Sequence, residues 1–357
     1  MSDDGGRAFG FEGTWKDYAP IAFTNLLLII VTLGFYRFWA TTRTRQYLWS
    51  HTRFIDETLE WTGTGMELFI GFLLVLLFFF VPIFALQFVT QALLINGAAA
   101  AAGLVFLLMF GAIFYLSGVA LFRMLRYRLS RTYWHGIRGG SDEQGFGYAV
   151  SHLWKTGVGS AVLGLMVPWA MTQLWNQRWS AMSFGPHRFT ASADWRPLML
   201  RYLLYYLVPI VLVVGGFAVA VMAGPEAAGT SPGEIRQTLV IAALIGYVVF
   251  FVLLGLIALI FYAAYFREAV SNLSLADLDF RFEARTADWF KLMLGNIALV
   301  VATLGIGVIF LGYRNWSFFI RHLNAFGTLD LDSFTQSETR TPRQGEGLLD
   351  AFDVGAF

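Results

Sequence analysis

The sequence contains no cysteine. Disulfides, thiolate metal sites, cysteine nucleophiles and cysteine-held iron–sulfur clusters are therefore excluded. Charge is scarce too: Asp, Glu, Lys and Arg make up 14% of the chain, against roughly 25% in an ordinary soluble domain. None of these, and no His, stands anywhere in Leu68–Phe122, Tyr202–Pro225 or Gln237–Phe266. An ionisable group at mid-bilayer costs at least about 2.5–3.5 kcal/mol and generally carries protons, ions or catalysis where it is kept. Its absence argues against proton-coupled transport, voltage sensing and an intramembrane aspartyl protease. GxxxxGK[ST] and HExxH are missing, and His51, His135, His152, His187 and His322 include no pair at metal-ligand spacing. No metal and no cofactor is expected. Nucleic acid is not expected either, because the basic residues are strung along membrane edges rather than gathered on a soluble face.

What remains is apolar. Hydrophobic residues form 57% of the chain, mean hydropathy is +0.60, and about 20 apolar residues suffice to cross a bilayer. The charge-free stretches predict spans near 68–90, 98–122, 202–223 and 237–264, with Pro82 and the polar turn Gln91–Gly97 splitting the first stretch. This is an integral membrane protein.

The two ends of the chain resemble each other. Laid together without a gap, they match at Asp17/Asp288, Asn25/Asn296, Leu28/Leu299, Thr32/Thr303, Leu33/Leu304, Gly34/Gly305, Arg43/Arg314 and His51/His322. A fainter middle copy pairs Tyr18/Tyr148, Gly34/Gly164, Trp39/Trp169, Trp49/Trp179 and Phe54/Phe184, with Gln173 and Ala181 where the Arg and His stood. The predicted fold is an all-α multi-pass membrane protein. Three repeated membrane-inserted helical units (1–67, a degenerate 123–201, and 267–332) alternate with two transmembrane hairpins (68–122 and 202–266), and a polar disordered tail (333–357) follows. Leu348, Leu349 and Phe352 give that tail a docking segment. Short alternating stretches at Phe9–Glu12, Thr58–Trp61, His187–Thr190 and Leu278–Phe282 predict interfacial β elements.

The run Thr32-Leu33-Gly34-Phe35-Tyr36, then Trp39, Arg43, Arg45, Tyr47 and His51-Thr52, followed by Glu60-Trp61-Thr62-Gly63-Thr64-Gly65 and Glu67-Leu68-Phe69, resembles the YjgN-like family of bacterial inner-membrane proteins. The likeness extends to about residue 330, with Gly164-Leu-Met-Val-Pro168-Trp169 as the largest departure. It implies a multi-pass protein of the bacterial cytoplasmic membrane with no assigned reaction, so it transfers no catalytic residues.

Arg43, Tyr47 and His51 fall at i, i+4 and i+8, and Arg314, Phe318 and His322 repeat the pattern. One reading is interfacial anchoring by snorkelling Arg and headgroup-level aromatics. The sharper one is a pair of lipid-headgroup or anion sites, in which Arg43, Tyr47, His51, Arg314 and His322 hold phosphate by charge-assisted hydrogen bonds. The cluster Arg123, Arg126, Arg128 and Arg131 reads as a positive-inside stop signal compatible with anionic lipid.

The leading function is non-enzymatic: transporter-like lipid or solute handling, or a membrane scaffold. Its expected partners are membrane lipids, anionic phospholipid among them, and an envelope protein. The alternative is an enzyme acting on lipid headgroups, for which His51, His322, Glu60 and Glu67 are the acid–base candidates. If the three copies dip and return, every Lys and Arg except Arg236 lies on one face, which puts both termini in the cytoplasm. If each copy crosses, the spans number seven and the charge bias nearly vanishes. Composition leaves both open.

Overall fold

In the computed structural model, residues 7–223, 232–328 and 334–340 are described, and pairs of helices alternate with β hairpins along the chain. The first pair is α1 (Trp15–Val31) with α2 (Arg37–Ser50), preceded by β1 (Phe9–Phe11) and followed by β2 (Thr52–Phe54), β3 (Glu57–Thr58) and β4 (Glu60–Trp61). Next come α3 (Gly65–Val75), α4 (Val81–Ile95) and α5 (Ala99–Arg131), closed by β5 (Thr132–Trp134) and β6 (Ile137–Gly140). Then α6 (Phe146–Ser160) and α7 (Val167–Ser180) lead into β7 (Ser183–Phe184) and β8 (His187–Ala191). Two long helices, α8 (Arg196–Ala223) and α9 (Pro232–Ser271), return to β9 (Leu273–Leu275) and β10 (Leu278–Phe282). The last pair, α10 (Thr286–Ala302) and α11 (Leu311–His322), ends in β11 (Leu323–Gly327).

Four stretches are long and apolar enough to cross a membrane: Gly65–Ile95, Ala99–Arg131, Arg196–Phe217 and Val240–Ser271. The first two are separated at Asn96–Ala98, as the polar turn predicts. Pro82 does not break the first span. It has no N–H and its ring crowds the carbonyl one turn back, and the chain absorbs this by widening to a π-helical turn at Leu76–Phe80. Both α5 and α9 overrun their apolar stretches, and each runs into a β hairpin within two residues of its end.

The all-α expectation needs correction. Strands β4 to β11 form one eight-stranded antiparallel sheet in sequence order, and β1, β2 and β3 form a second, three-stranded one. The sheets meet where Leu59 N–H donates to Thr52 O, Ala8 N–H donates to Asn324 Oδ1, and the Phe9 ring lies 6.2 Å from Phe280. Ala8, Phe54, Trp134, Leu278 and Ala325 are buried at this junction. Single β elements were legible in the sequence, but each runs only two to five residues. The pairings that join one hairpin to the next, such as β4 with β5 and β8 with β9, cross a whole helix pair, and no local pattern records that distance. Residues 334–340 also join the layer: Phe334 is buried with Ile137 and Phe189, and Gln336 accepts from Arg138 N–H and donates to Gly136 O. The cluster Leu348, Leu349 and Phe352 lies outside the described residues.

The remaining three helix pairs are broken at their tips by the same device. Leu33–Gly34, Leu163–Gly164 and Leu304–Gly305 all have positive φ, at 51° and 93°, 59° and 85°, and 50° and 95°. In the first, Leu33 N–H donates to Ile30 O and Gly34 N–H to Ile29 O, the two bonds of a Schellman turn. The third repeats them with Leu304 to Val301 and Gly305 to Val300. Glycine is needed because the second residue of the turn sits deep in the left-handed region. In the first pair, the helices then run back antiparallel: Tyr47 Oη donates to Thr14 O at 2.8 Å, and β1 pairs with β2. Both ends of this apolar segment therefore reach the same β layer.

Candidate functional site

Both predicted histidines occupy the same local position. His51 Nδ1 lies 2.8 Å from Tyr47 O, and His322 Nδ1 lies 2.7 Å from Phe318 O. A carbonyl only accepts, so each ring carries its proton on Nδ1 and caps the last turn of its helix. Each ring also packs on the residue it caps, Tyr47 at 4.1 Å and Phe318 at 4.4 Å. Burial pushes the Tyr47 phenol above its ordinary pKa, so it remains a neutral donor to Thr14 O. Arg43 donates to Tyr36 Oη at 3.1 Å, whereas Arg314 Nε donates to Asn296 Oδ1 at 2.7 Å. Arg43, Tyr47 and Glu60 share a shallow cleft of about 610 Å³. His51 does not line it, and Arg314 and His322 belong to the other end of the chain.

The enzyme reading required a histidine to meet Glu60 or Glu67. Glu67 is already held by Arg131 at 2.7 Å and 3.1 Å and by Tyr127 Oη at 3.0 Å, and it closes a capping box with Thr64 at the start of α3. Glu60 is an exposed strand residue opposite Tyr133. No hydrogen bond joins either histidine to either glutamate among the described residues.

The basic cluster on α5 is largely structural. Arg126 is 2% exposed and donates to Glu143 O, Arg123 donates to Gln144 O, and Arg131 holds Glu67. Arg128 points elsewhere, into a cavity of about 300 Å³ between the first and third broken pairs.

That cavity is the best-formed site among the described residues. Tyr18 and Tyr313 stack at 5.3 Å beside it, and Trp49 and Trp316 stack at 4.1 Å, with their indole N–H groups on Thr132 and Thr52. Arg37, Arg45 and Arg128 line it. Arg45 is buried over the Trp61 ring, and Arg37 lies over Phe38 and Phe72. Asn25 is 6% exposed; its Nδ2 donates to Ala40 O at 3.2 Å, and its Oδ1 is buried with no partner among the described residues. Sequence reasoning passed over Arg37, Arg45, Arg128 and Asn25 as a group. The available signal was an asparagine within an otherwise apolar helix, facing a helix rich in arginine.

A β layer carrying four apolar spans and three broken helix pairs defines a polytopic membrane protein. The chain belongs to the bacterial family described as "Bacterial protein of unknown function (DUF898)", which matches residues 7–351. It is 32% identical over 74 residues to "Inner membrane protein YjgN" of Escherichia coli (strain K12), covering 21% of this chain and 19% of that protein. It is 29% identical over 132 residues to the protein of the same name from Escherichia coli O157:H7, covering 37% of this chain and 30% of the relative. The match thus spans less than a third of each of these relatives. Their names support an inner-membrane location, and no solved structure matches.

Proposed function

We propose that this is a non-enzymatic lipid-handling protein that inserts three part-depth helical wedges into one leaflet from a cytoplasmic β layer. The observation that carries the reading is the state of the three tips: Leu33, Leu163 and Leu304 are 92%, 88% and 94% exposed. Such a leucine, on a turn whose backbone bonds are closed internally or, in the middle pair, by Tyr202 and Tyr206 of α8, suits hydrocarbon and not water. Burying each in acyl chains contributes about 1.5–3 kcal/mol. Phe23, Leu27, Ile30 and Val31 on α1, and Leu294, Ile297 and Val301 on α10, extend the apolar surface along the arms.

Length limits the depth. Helices of 17 and 14 residues in the first pair rise about 26 and 21 Å, and part of that rise lies beside the β layer. The four spans have room to cross fully about 30 Å of hydrocarbon. The three broken pairs are read as copies of one unit, on the matching Leu–Gly turns in all three and, in the first and third, on the Asn, Thr, Arg and His in register. Side chains that wedge one leaflet and line a pocket there have a means to move or hold lipid without any catalytic group. The cytoplasmic side for the layer and both termini follows from the distribution of Lys and Arg.

Because the chain lacks cysteine, single substitutions report sidedness cleanly. Asn96→Cys, in the α4–α5 turn, should react with a membrane-impermeant maleimide in intact cells, while Ser50→Cys and Ser271→Cys should react only after the inner membrane is opened. Labelling of Ser50→Cys from outside would overturn the orientation. Labelling of Leu33→Cys or Leu304→Cys from outside would overturn the wedge.

A further inference from the structure

We infer that the middle broken pair holds the phosphate of an anionic phosphoglyceride of the inner leaflet at the Lys155 ammonium. The inference rests on the wedge reading above, which sets this pair into that leaflet. In the other two pairs the matching position on the first helix is an asparagine, Asn25 or Asn296, and each donates within its own pair, to Ala40 O and to Asn315 Oδ1. The register that lays Gly164 on Gly34 puts Lys155 on Asn25. It also puts Gly147 where the others have Asp17 and Asp288, and no Asp or Glu stands between Glu143 and Asp194. The middle pair thus carries a cation where its counterparts carry a neutral amide, and no acid of its own to neutralise it.

The ammonium is held in place. Lys155 Nζ donates to Gln177 Oε1 at 2.9 Å, and Gln177 Nε2 donates to Ser151 Oγ at 3.0 Å, so the network ties α6 to α7. Among the described residues Lys155 makes that one hydrogen bond and no ion pair, which leaves two of its three N–H groups for a ligand. Lys155 is half-buried, and Leu153, Trp154 and Val158 beside it are exposed, so the cation borders the lipid-facing flank. Depth selects the part of the lipid it meets. Lys155 lies nine residues before Gly164 and Gln177 thirteen after it, rises of about 14 and 20 Å from the tip. With the tip near the centre of about 30 Å of hydrocarbon, an ammonium turned toward Gln177 emerges at the phosphate level. The Trp154 and Trp169 rings, 5.8 Å apart, mark the same interfacial level. An ethanolamine headgroup would bring a second ammonium to a pair whose charged groups are Lys155 and Arg178. A net anionic headgroup brings none, and its phosphate accepts from both free N–H groups.

The test uses the full chain, purified and delipidated, offered equal amounts of phosphatidylglycerol and phosphatidylethanolamine, with retention read by native mass spectrometry. Phosphatidylglycerol should be retained about fivefold over phosphatidylethanolamine, the preference one interfacial lysine supplies. Lys155→Gln should remove that preference and Lys155→Arg should keep it, while Lys291→Gln, on an exposed lysine of the third pair, leaves it unchanged. Should Lys155→Gln fail to fold by thermal melt, Lys155→Met takes its place. Equal retention of the two lipids by the wild type overturns the inference. So does a wild-type preference in Lys155→Gln, or an equal loss in Lys291→Gln, which would reduce the effect to general surface charge. Displacement of the lipid by millimolar glycerol 3-phosphate would assign the lysine to a soluble phosphate and overturn the lipid assignment. Should Leu33→Cys and Leu304→Cys be shielded while lipid preference is absent, the headgroup inference fails and the wedge stands.

Discussion

The first and third broken helix pairs carry the same asparagine and the same arginine in the same register, and use them differently. In the third, Arg314 reaches across to Asn296 Oδ1 at 2.7 Å and satisfies it. In the first, Arg43 turns to Tyr36 Oη, and Asn25 Oδ1 is left facing the cavity. One neighbour differs between them. A Cβ at Gly295 would come within 2.5 Å of Arg314 Nη2, so a side chain there would make the guanidinium end shift. The first pair has Thr24 at that place. The two pairs thus place the same residue types in different contacts, closed in the third pair and facing the cavity in the first.

The tips teach a second lesson. Thr32 Oγ1 donates to Leu28 O and accepts from Tyr36 N–H, and Thr303 repeats this with Leu299 and Gly307, so both turns are self-contained. The middle pair has Val162 there, and the carbonyls of Leu163 and Gly164 are met from outside by Tyr206 and Tyr202 of α8. The same unwound turn is completed within itself at either end of the chain and by a neighbouring span in the middle. Backbone exposed to hydrocarbon must find a partner somewhere.

The largest effect should come from breaking the surface the first and third pairs share. Trp49→Ala removes the ring stacked on Trp316 and is expected to cost about 3–5 kcal/mol, read as lost thermal stability in detergent. Removing the tip threonines should come next. Thr32→Val and Thr303→Val each strand a backbone N–H, and each should cost about 1–3 kcal/mol with faster amide exchange at the turn. Tyr206→Phe should speed exchange at the middle tip only. A common loss at all three tips would show that they are not independently closed. The smallest change in stability, and the sharpest for the comparison, comes from exchanging the differing residue. Gly295→Thr should shift Arg314 from Asn296 and cost about 0.5–1.5 kcal/mol, read as a lower thermal midpoint in detergent. An unchanged midpoint in Gly295→Thr would leave the divergence of the two pairs without its cause.

The sequence made the membrane class and the four spans legible, because charge-free length is a local signal. The β layer was not legible. Glu60 pairs with Tyr133, and Phe189 with Leu275, across whole helix pairs that no short pattern can bridge. The helical spacing of Arg43, Tyr47 and His51 identified a shared face, but not that the histidine would spend its Nδ1 proton on the helix end. Arg37, Arg45 and Arg128 come together only because α5 packs where the first and third pairs meet, and their spacing along the chain carries no trace of it.

The central claim is that the three leucine tips lie in hydrocarbon. Spin labels placed singly at residues 33, 163 and 304 of the reconstituted protein report this directly, through collision with oxygen, which concentrates in acyl chains, against a water-soluble nickel chelate. The account predicts high oxygen and low nickel accessibility at all three, with the reverse for a label at Asn96. Nickel accessibility at the tips equal to that at Asn96 would contradict it.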